Sequence, residues 1–175
     1  MAWPLLVGER MTLRPPVDSD AAPLLAILLE PEVSKWWVGY TPERVQDEMI
    51  SSDATLVMEI DGETAGAIFL YPESDPEYLH VVIHLFLGAR WYGHRYGAEA
   101  LTLAITHLAS LGHHRFTLDP NANNAPAIRS YERLGFHPIG LLREYQLRPD
   151  GSHEDALFMD LVLSDFPNGL DWRRD

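Results

Sequence analysis

Residues 79–98 read LHVVIHLFLGARWYGHRYGA, and this stretch decides the fold. Residues 79–87 are rich in β-branched and aromatic side chains and predict a strand. Residues 88–97 carry glycines and predict a loop. The spacing of Leu101, Ile105 and Leu108 puts one apolar face on a helix over residues 98–111, which Gly112 stops. Residues 115–119 predict a further short strand. A helical crossover between two strands makes them parallel neighbours, because the chain returns to the same end of the sheet before pairing.

Upstream of that unit, residues 10–14 alternate as a strand does. Asp18 fits a helix N-cap ahead of the apolar run at 21–29, which Pro31 ends. Thr41-Pro42 is a second start signal, a hydroxyl cap followed by proline, for a helix to about Ile50. Strands are predicted over 54–60 and 64–71, joined by the hairpin turn Asp61-Gly62, and an acidic loop over 72–77. Downstream, Asn124 caps a helix that ends before Gly135, an expected left-handed C-terminal glycine. Residues 136–147 and 156–163 form a second hairpin around Pro149-Asp150-Gly151. The class is α/β: a mixed, mainly antiparallel sheet of about seven strands with a central parallel pair and flanking helices. One domain is expected over residues 1–166, with a tail over 167–175.

Composition bounds the chemistry. The 175 residues are 46% hydrophobic and 22% charged, ordinary for a globular protein with its own core. No cysteine is present, which excludes disulfides, thiolate metal sites and a thiol nucleophile. Net charge is −13, and residues 1–89 hold 15 acids against 4 bases. No basic footprint for nucleic acid or for a membrane surface is present. An acidic half attracts a cationic small molecule or simply keeps exposed faces soluble. No basic leader with a long apolar run is visible and no stretch is long enough to span a bilayer, so a cytoplasmic protein is expected.

A strand, a glycine-bearing loop and a helix start together suit a phosphate, because the first helical N–H groups lack partners and the helix dipole favours an anion. Here the loop is Tyr92-Gly93-His94-Arg95-Tyr96-Gly97-Ala98. Residues 119–136 read DPNANNAPAIRSYERLGF. Together the two segments resemble the acyl-CoA-binding region of the GNAT superfamily of acyl-CoA-dependent N-acyltransferases. Asn124, Tyr131, Gly135 and Phe136 match the second half of that region, and Gly93 and Gly97 match the phosphate loop. Arg95 replaces the usual central glycine and Tyr92 the usual basic or amide residue; Arg95 then offers a cation to the pyrophosphate or the 3′-phosphate. Within the superfamily the sequence looks closest to aminoglycoside 6′-N-acetyltransferases, on Asp119-Pro120, residues 127–132 and residues 35–39. Siderophore lysine N-acyltransferases come next, on His84 and Asp119.

The resemblance implies a splayed central strand pair and acetyl-CoA as co-substrate, without a metal. It also implies that residues 92–98, Asn124, Ala127 and Tyr131, and the backbone at Leu85, Phe86 and Leu87, hold that co-substrate. Acyl transfer to nitrogen needs a neutral amine, fixed donors for the oxyanion and a proton for the departing thiolate. His84 and Asp119 are candidates for the first need, since imidazole titrates at about 6.5, close to the ideal for a base at neutral pH, and Asp119 fits holding a cationic substrate, orienting His84 or relaying its proton through water. A satisfied strand histidine and a turn aspartate before proline are the plain alternatives. Tyr131 is the candidate acid for the thiolate, or a half-buried packing residue. Trp36 and Trp37 fit either an aromatic wall of the acceptor site or core residues under a loop. Glu73 and Asp75 fit recognition carboxylates for a polyamine-like acceptor or a solvated acidic loop. His113-His114 make a poor metal pair, because neighbours in an extended chain face opposite ways.

The expected reaction is direct transfer of acetyl from acetyl-CoA to a small cationic amine, aminoglycosides first. The rivals are acylation of a siderophore hydroxylysine or of a protein N-terminus, and a non-catalytic acyl-CoA-binding domain. A monomer or homodimer is expected.

Overall fold

In the computed structural model, residues 3–166 and 168–173 are described. Pro167, Arg174 and Asp175 of the expected tail lie outside them. The strands are β1 (Leu6–Val7), β2 (Thr12–Arg14), β3 (Thr55–Ile60), β4 (Glu63–Pro72), β5 (His80–Leu87), β6 (Arg115–Leu118), β7 (His137–Leu147) and β8 (His153–Val162). The α-helices are α1 (Ala21–Leu28), α2 (Pro31–Ser34), α3 (Pro42–Val45), α4 (Tyr96–Ser110) and α5 (Ala125–Leu134). The strand order is β1-β2-β3-β4-β5-β6-β8-β7. Two compact units are present. One holds the described residues up to Leu70 with Leu85–Leu103; the other holds Tyr71–His84 and the described residues from Ala104 onward.

In the first unit, β1 to β4 pair antiparallel in sequence order. Asp61 and Gly62 take φ of 51° and 76°, the paired left-handed conformation of a tight hairpin turn. Gly66 on β4 has no room for a side chain: a Cβ there would lie 2.1 Å from the carbonyl oxygen of Phe86. A core cluster gathers Leu24, Ile27 and Leu28 of α1, Val33, Val45 and Met49 with Val57, Ala67, Phe69 and Phe86.

In the second unit, β5 pairs parallel with β6 over His80–Val82, in register with Arg115–Thr117. β6 and β7 each pair antiparallel with β8. Phe116, Leu118, Leu134, Phe136, Met159 and Leu161 are buried there. Asn124 Oδ1 accepts the N–H of Ala127 at 3.3 Å, and Gly135 closes α5 at φ 114°.

Some expectations are refined and others corrected. The described residues hold eight strands, in keeping with the expected sheet of about seven, and Leu6–Val7 is a two-residue strand the sequence did not signal. The run at 21–29 ends at Leu28, with Glu30 held extended at ψ 137° before Pro31 as expected, and Pro31 also opens α2 as its first-turn proline. The carboxylate organising the start of α1 is Asp20, which accepts the Val17 N–H at 2.8 Å, not Asp18. The helix begun by Thr41 is regular only to Val45 and then widens, with the Ser51 N–H reaching the Gln46 carbonyl. The helix after the glycine loop starts at Tyr96, not at 98, and β8 starts at His153, not at 156.

Candidate active site

Along β5, burial alternates through Val81 and Ile83, then slips: His84 and Leu85 are both half-buried and Phe86 is buried. The alternation itself places His84 on the half-buried face, with 39% of its side chain exposed. Its Nε2 nonetheless is buried and stands 3.4 Å from Asp119 Oδ1, without the alignment of a hydrogen bond. Tyr71 meets the ring edge-on at 5.7 Å between centroids.

Asp119 directly follows β6, and the next residues are anchored to β8. The Pro120 carbonyl accepts the Leu157 N–H at 2.8 Å, and Asn121 bridges to Ala156. The carboxylate therefore sits on a fixed backbone. Its second oxygen, Oδ2, accepts the Tyr145 hydroxyl at 2.7 Å. That bond, helped by burial and by the Asp119 charge, pushes the Tyr145 hydroxyl up to about 12, so it stays a donor at neutral pH. An imidazole beside a carboxylate that is itself held by a phenol is a proton-accepting arrangement with a defined orientation.

Tyr131 stands half-buried on α5, its ring edge-to-face with Phe136 at 6.2 Å. Glu73 and Asp75 serve their own loop. The Glu73 carboxylate accepts the N–H groups of Ser74 and Asp75 at 2.7 and 2.9 Å, and these bonds hold it below the usual carboxylate range. Asp75 accepts the Glu77 N–H at 3.0 Å. His113 is buried and His114 exposed; burial, then His80 and His114, pull the His113 ring down.

In the first unit, the glycine loop begins where the Gly88 N–H donates to Ala65 at 2.8 Å, followed by a short 3₁₀ turn at Ala89–Trp91. Gly93 and Arg95 take φ of 80° and 64°. Arg95 thus adopts the left-handed conformation a glycine would supply, and the turn survives the substitution. The ladder of α4 starts with the Glu99 N–H on the Arg95 carbonyl, so the N–H groups of Tyr96, Gly97 and Ala98 precede it. Tyr92, Gly93 and His94 are exposed, and a Cβ on Gly97 would meet only Leu85, at 3.7 Å. This cradle of first-turn donors suits a phosphate. Leu85 and Leu87 are half-buried beside the buried Phe86. Trp37 packs on the core, stacked on Phe69 at 5.6 Å and tilted against Phe86 at 5.1 Å, whereas Trp36 is half-buried under Lys35.

Two contributors have no signal in the sequence. Arg10 joins the buried Glu99 carboxylate at 2.8 Å, donates to the His94 carbonyl at 3.0 Å and covers the Tyr96 ring, so it shapes the loop from 84 residues away. Tyr145 reaches Asp119 from a strand 26 residues on. Neither long-range pairing arises from a local pattern.

Known proteins bear on this arrangement. The Acetyltransferase (GNAT) domain family matches residues 10–137, and the chain belongs to that family. A [ribosomal protein bS18]-alanine N-acetyltransferase of Haemophilus ducreyi is 34% identical over 68 residues, which is 39% of this chain and 47% of that relative. The chain therefore spans about half the length of this relative. The acetyltransferase (GNAT family) from Bacillus anthracis superposes with a TM-score of 0.79 at 15% identity, over 92% of this chain and 99% of that one. Mycobacterium smegmatis RimJ in complex with CoA-disulfide superposes at 0.75 with 21% identity, over 95% and 89%. These two likenesses concern the fold. They agree with the mixed sheet, in which β5 and β6 pair parallel. Among the described residues no cluster of three metal-ligating side chains occurs, and no helix is long and apolar enough to cross a membrane.

Proposed function

We propose that the chain is an N-acetyltransferase that moves acetyl from acetyl-CoA to a primary amine by direct attack. The observation that carries this reading is the approach of His84 Nε2 to Asp119 Oδ1, at 3.4 Å, in a chain of this family. With Asp119 favouring the Nε2–H tautomer, Nδ1 keeps the lone pair and takes the proton of the attacking amine, directly or through water. The new bond joins the amine nitrogen to the acetyl carbon, and the carbon–sulfur bond breaks. Tyr131 supplies the proton to the departing thiolate. Backbone N–H groups at Leu85, Phe86 and Leu87 support the oxyanion. Residues 92–98 take the phosphates at the start of α4, and Asn124 and Ala127 border the co-substrate.

For the acceptor, the ribosomal-protein relative supports the α-amino group of a protein, one of the rivals the sequence admits. Neither that relative nor the two structures bears a name that points to aminoglycosides. The excess of acids in residues 1–89 favours a small cationic amine as the second reading, with Trp36, Glu73 and Asp75 as candidate recognition groups. Residues 1–166 form the catalytic domain in this proposal, 167–175 a tail, and the cytoplasm is its location.

The test is calorimetric titration with acetyl-CoA, together with release of the CoA thiol across N-terminal peptides, polyamines and aminoglycosides. Expected outcomes are saturable acetyl-CoA binding and turnover of one amine class. The chain has no cysteine, so the thiol signal has no protein background. Absence of binding at millimolar acetyl-CoA would remove the proposal. Binding without turnover of any amine would favour the non-catalytic rival.

A further inference from the structure

The geometry assigns to Tyr145 a positioning role: its hydroxyl fixes Oδ2 of Asp119 so that Oδ1 is presented to His84. The consequence for acetyl transfer rests on the proposed role of His84 and Asp119; the positioning itself does not.

The local cause is a break in the β7–β8 ladder. Leu142 pairs with Ala156 and pairing resumes at Gln146 with Glu154, so residues 143–145 stand opposite Asp155 alone. Glu144 takes φ of 51°, and its N–H donates to Asp155 Oδ1 at 2.8 Å. In an unbroken strand successive side chains alternate between faces. Extra residues reset that alternation and re-aim the neighbouring side chain, a common device beside reactive sites. Here the re-aimed side chain is Tyr145, whose hydroxyl meets Asp119 at 2.7 Å.

A carboxylate held only by its backbone can turn about its last torsion and present either oxygen or neither. A donor on one oxygen removes that freedom. Asp119 has Tyr145 on Oδ2 and His84 nearest Oδ1, and the backbone behind it is tied to β8 through Pro120 and Asn121. The charge of a carboxylate 3.4 Å from Nε2 favours a proton on that nitrogen over Nδ1. Tyr145 is more than half exposed, so replacing its hydroxyl leaves the core untouched.

The test reads the tautomer of His84 by ¹⁵N chemical shifts on the ligand-free protein at about pH 8, where imidazole is neutral. The His84→Gln spectrum identifies its signals. Tyr145→Phe should move His84 from the pure Nε2–H form toward the mixed tautomer population of an unrestrained imidazole, in which Nε2–H still leads, as Asp119→Ala does. In the Asp119→Ala background, Tyr145→Phe should change nothing further. Separately, Tyr145→Phe should lower kcat about tenfold with an unchanged KM for acetyl-CoA. Unchanged His84 shifts in Tyr145→Phe, or additive shifts in the double variant, overturn the inference. Loss of turnover in Asp119→Ala but not in Tyr145→Phe overturns the positioning role and leaves the proposed function standing. A correct tautomer cycle in a protein that turns over no amine overturns the proposed function and leaves the positioning.

Discussion

Arg95 holds a backbone conformation at φ 64° that L-residues occupy at a cost of about 1 kcal/mol, and glycine does not. Replacing it with glycine relieves that strain but frees the unfolded chain, and the two effects are of similar size. Arg95→Gly should therefore leave the unfolding midpoint nearly unchanged. In the proposed function the side chain supplies a cation to a phosphate, a charge-assisted bond of about 1.5 kcal/mol. The KM for acetyl-CoA should then rise about tenfold in Arg95→Gly, with kcat retained. An unchanged KM would reduce Arg95 to a residue that merely tolerates its turn. Repeating the measurement with the co-substrate lacking its 3′-phosphate tells which phosphate is met, since only the group in contact loses its dependence on residue 95. At this scale the sequence singles out residues by their own chemistry, and the structure shows only which of them meet. His84 and Asp119 stand out by their types and positions, and they meet at 3.4 Å. Tyr145 does not, because nothing within a few residues of it signals a bulge that turns on the Asp155 side chain.

At the scale of elements, local stereochemistry is the readable part. Asp61-Gly62, the Asn124 cap and the Gly135 stop each rest on a conformational preference that acts within four residues, and each is present. The two-residue β1 is invisible for the opposite reason. Its turn closes through the Gly8 N–H on Met11 and is clasped by Glu99, whose carboxylate accepts the N–H groups of Glu9 and Arg10 at 2.9 Å. A buried carboxylate some 90 positions away leaves no periodicity to read. The start of α4 at Tyr96 is likewise obscured, since glycine at 97 argues against a helix beginning there. Gly66 yields a prediction here. Its Cβ position is 2.1 Å from the Phe86 carbonyl oxygen and 2.9 Å from the Leu87 Cα, both backbone atoms that cannot rotate aside. Gly66→Ala should destabilise by about 3 kcal/mol, the upper range for overpacking, and displace the strand that carries Leu85, Phe86 and Leu87. Urea unfolding checks the first effect. A stable Gly66→Ala protein with unaltered acetyl-CoA binding would show that this close approach is not needed.

For the molecule as a whole, charge and stability are joined through pH. With 26 acids against 13 bases, the folded chain repels itself at neutral pH, and acidification relieves that repulsion as the protein nears its isoelectric point of about 4.9. The Asp20 cluster works in the other direction. Its buried carboxylate accepts two guanidinium bonds from Arg14 at 2.7 and 2.8 Å, the Val17 N–H at 2.8 Å and the Thr64 hydroxyl at 2.9 Å. Arg14 is shared with Glu59 at 2.7 Å. Burial alone would raise the Asp20 carboxyl, but the Arg14 bonds and the other donors outweigh it and hold the group below its ordinary value. A carboxyl lowered by folding contributes stability that is complete above the unfolded value of about 3.9 and is lost as pH falls through the folded one. Asp20→Ala should therefore cost about 3 kcal/mol at neutral pH, because the Val17 N–H and the Thr64 hydroxyl lose their acceptor and Arg14 is left with Glu59 alone. The gap between the variant and the parent isolates this effect, since both chains gain equally from relief of the general repulsion. It should stay constant from neutral pH down to about 4 and close below that, as the parent's Asp20 takes up its proton. A gap that persists undiminished to about pH 2 would mean that Asp20 stabilises by packing and hydrogen-bond acceptance rather than by its charge.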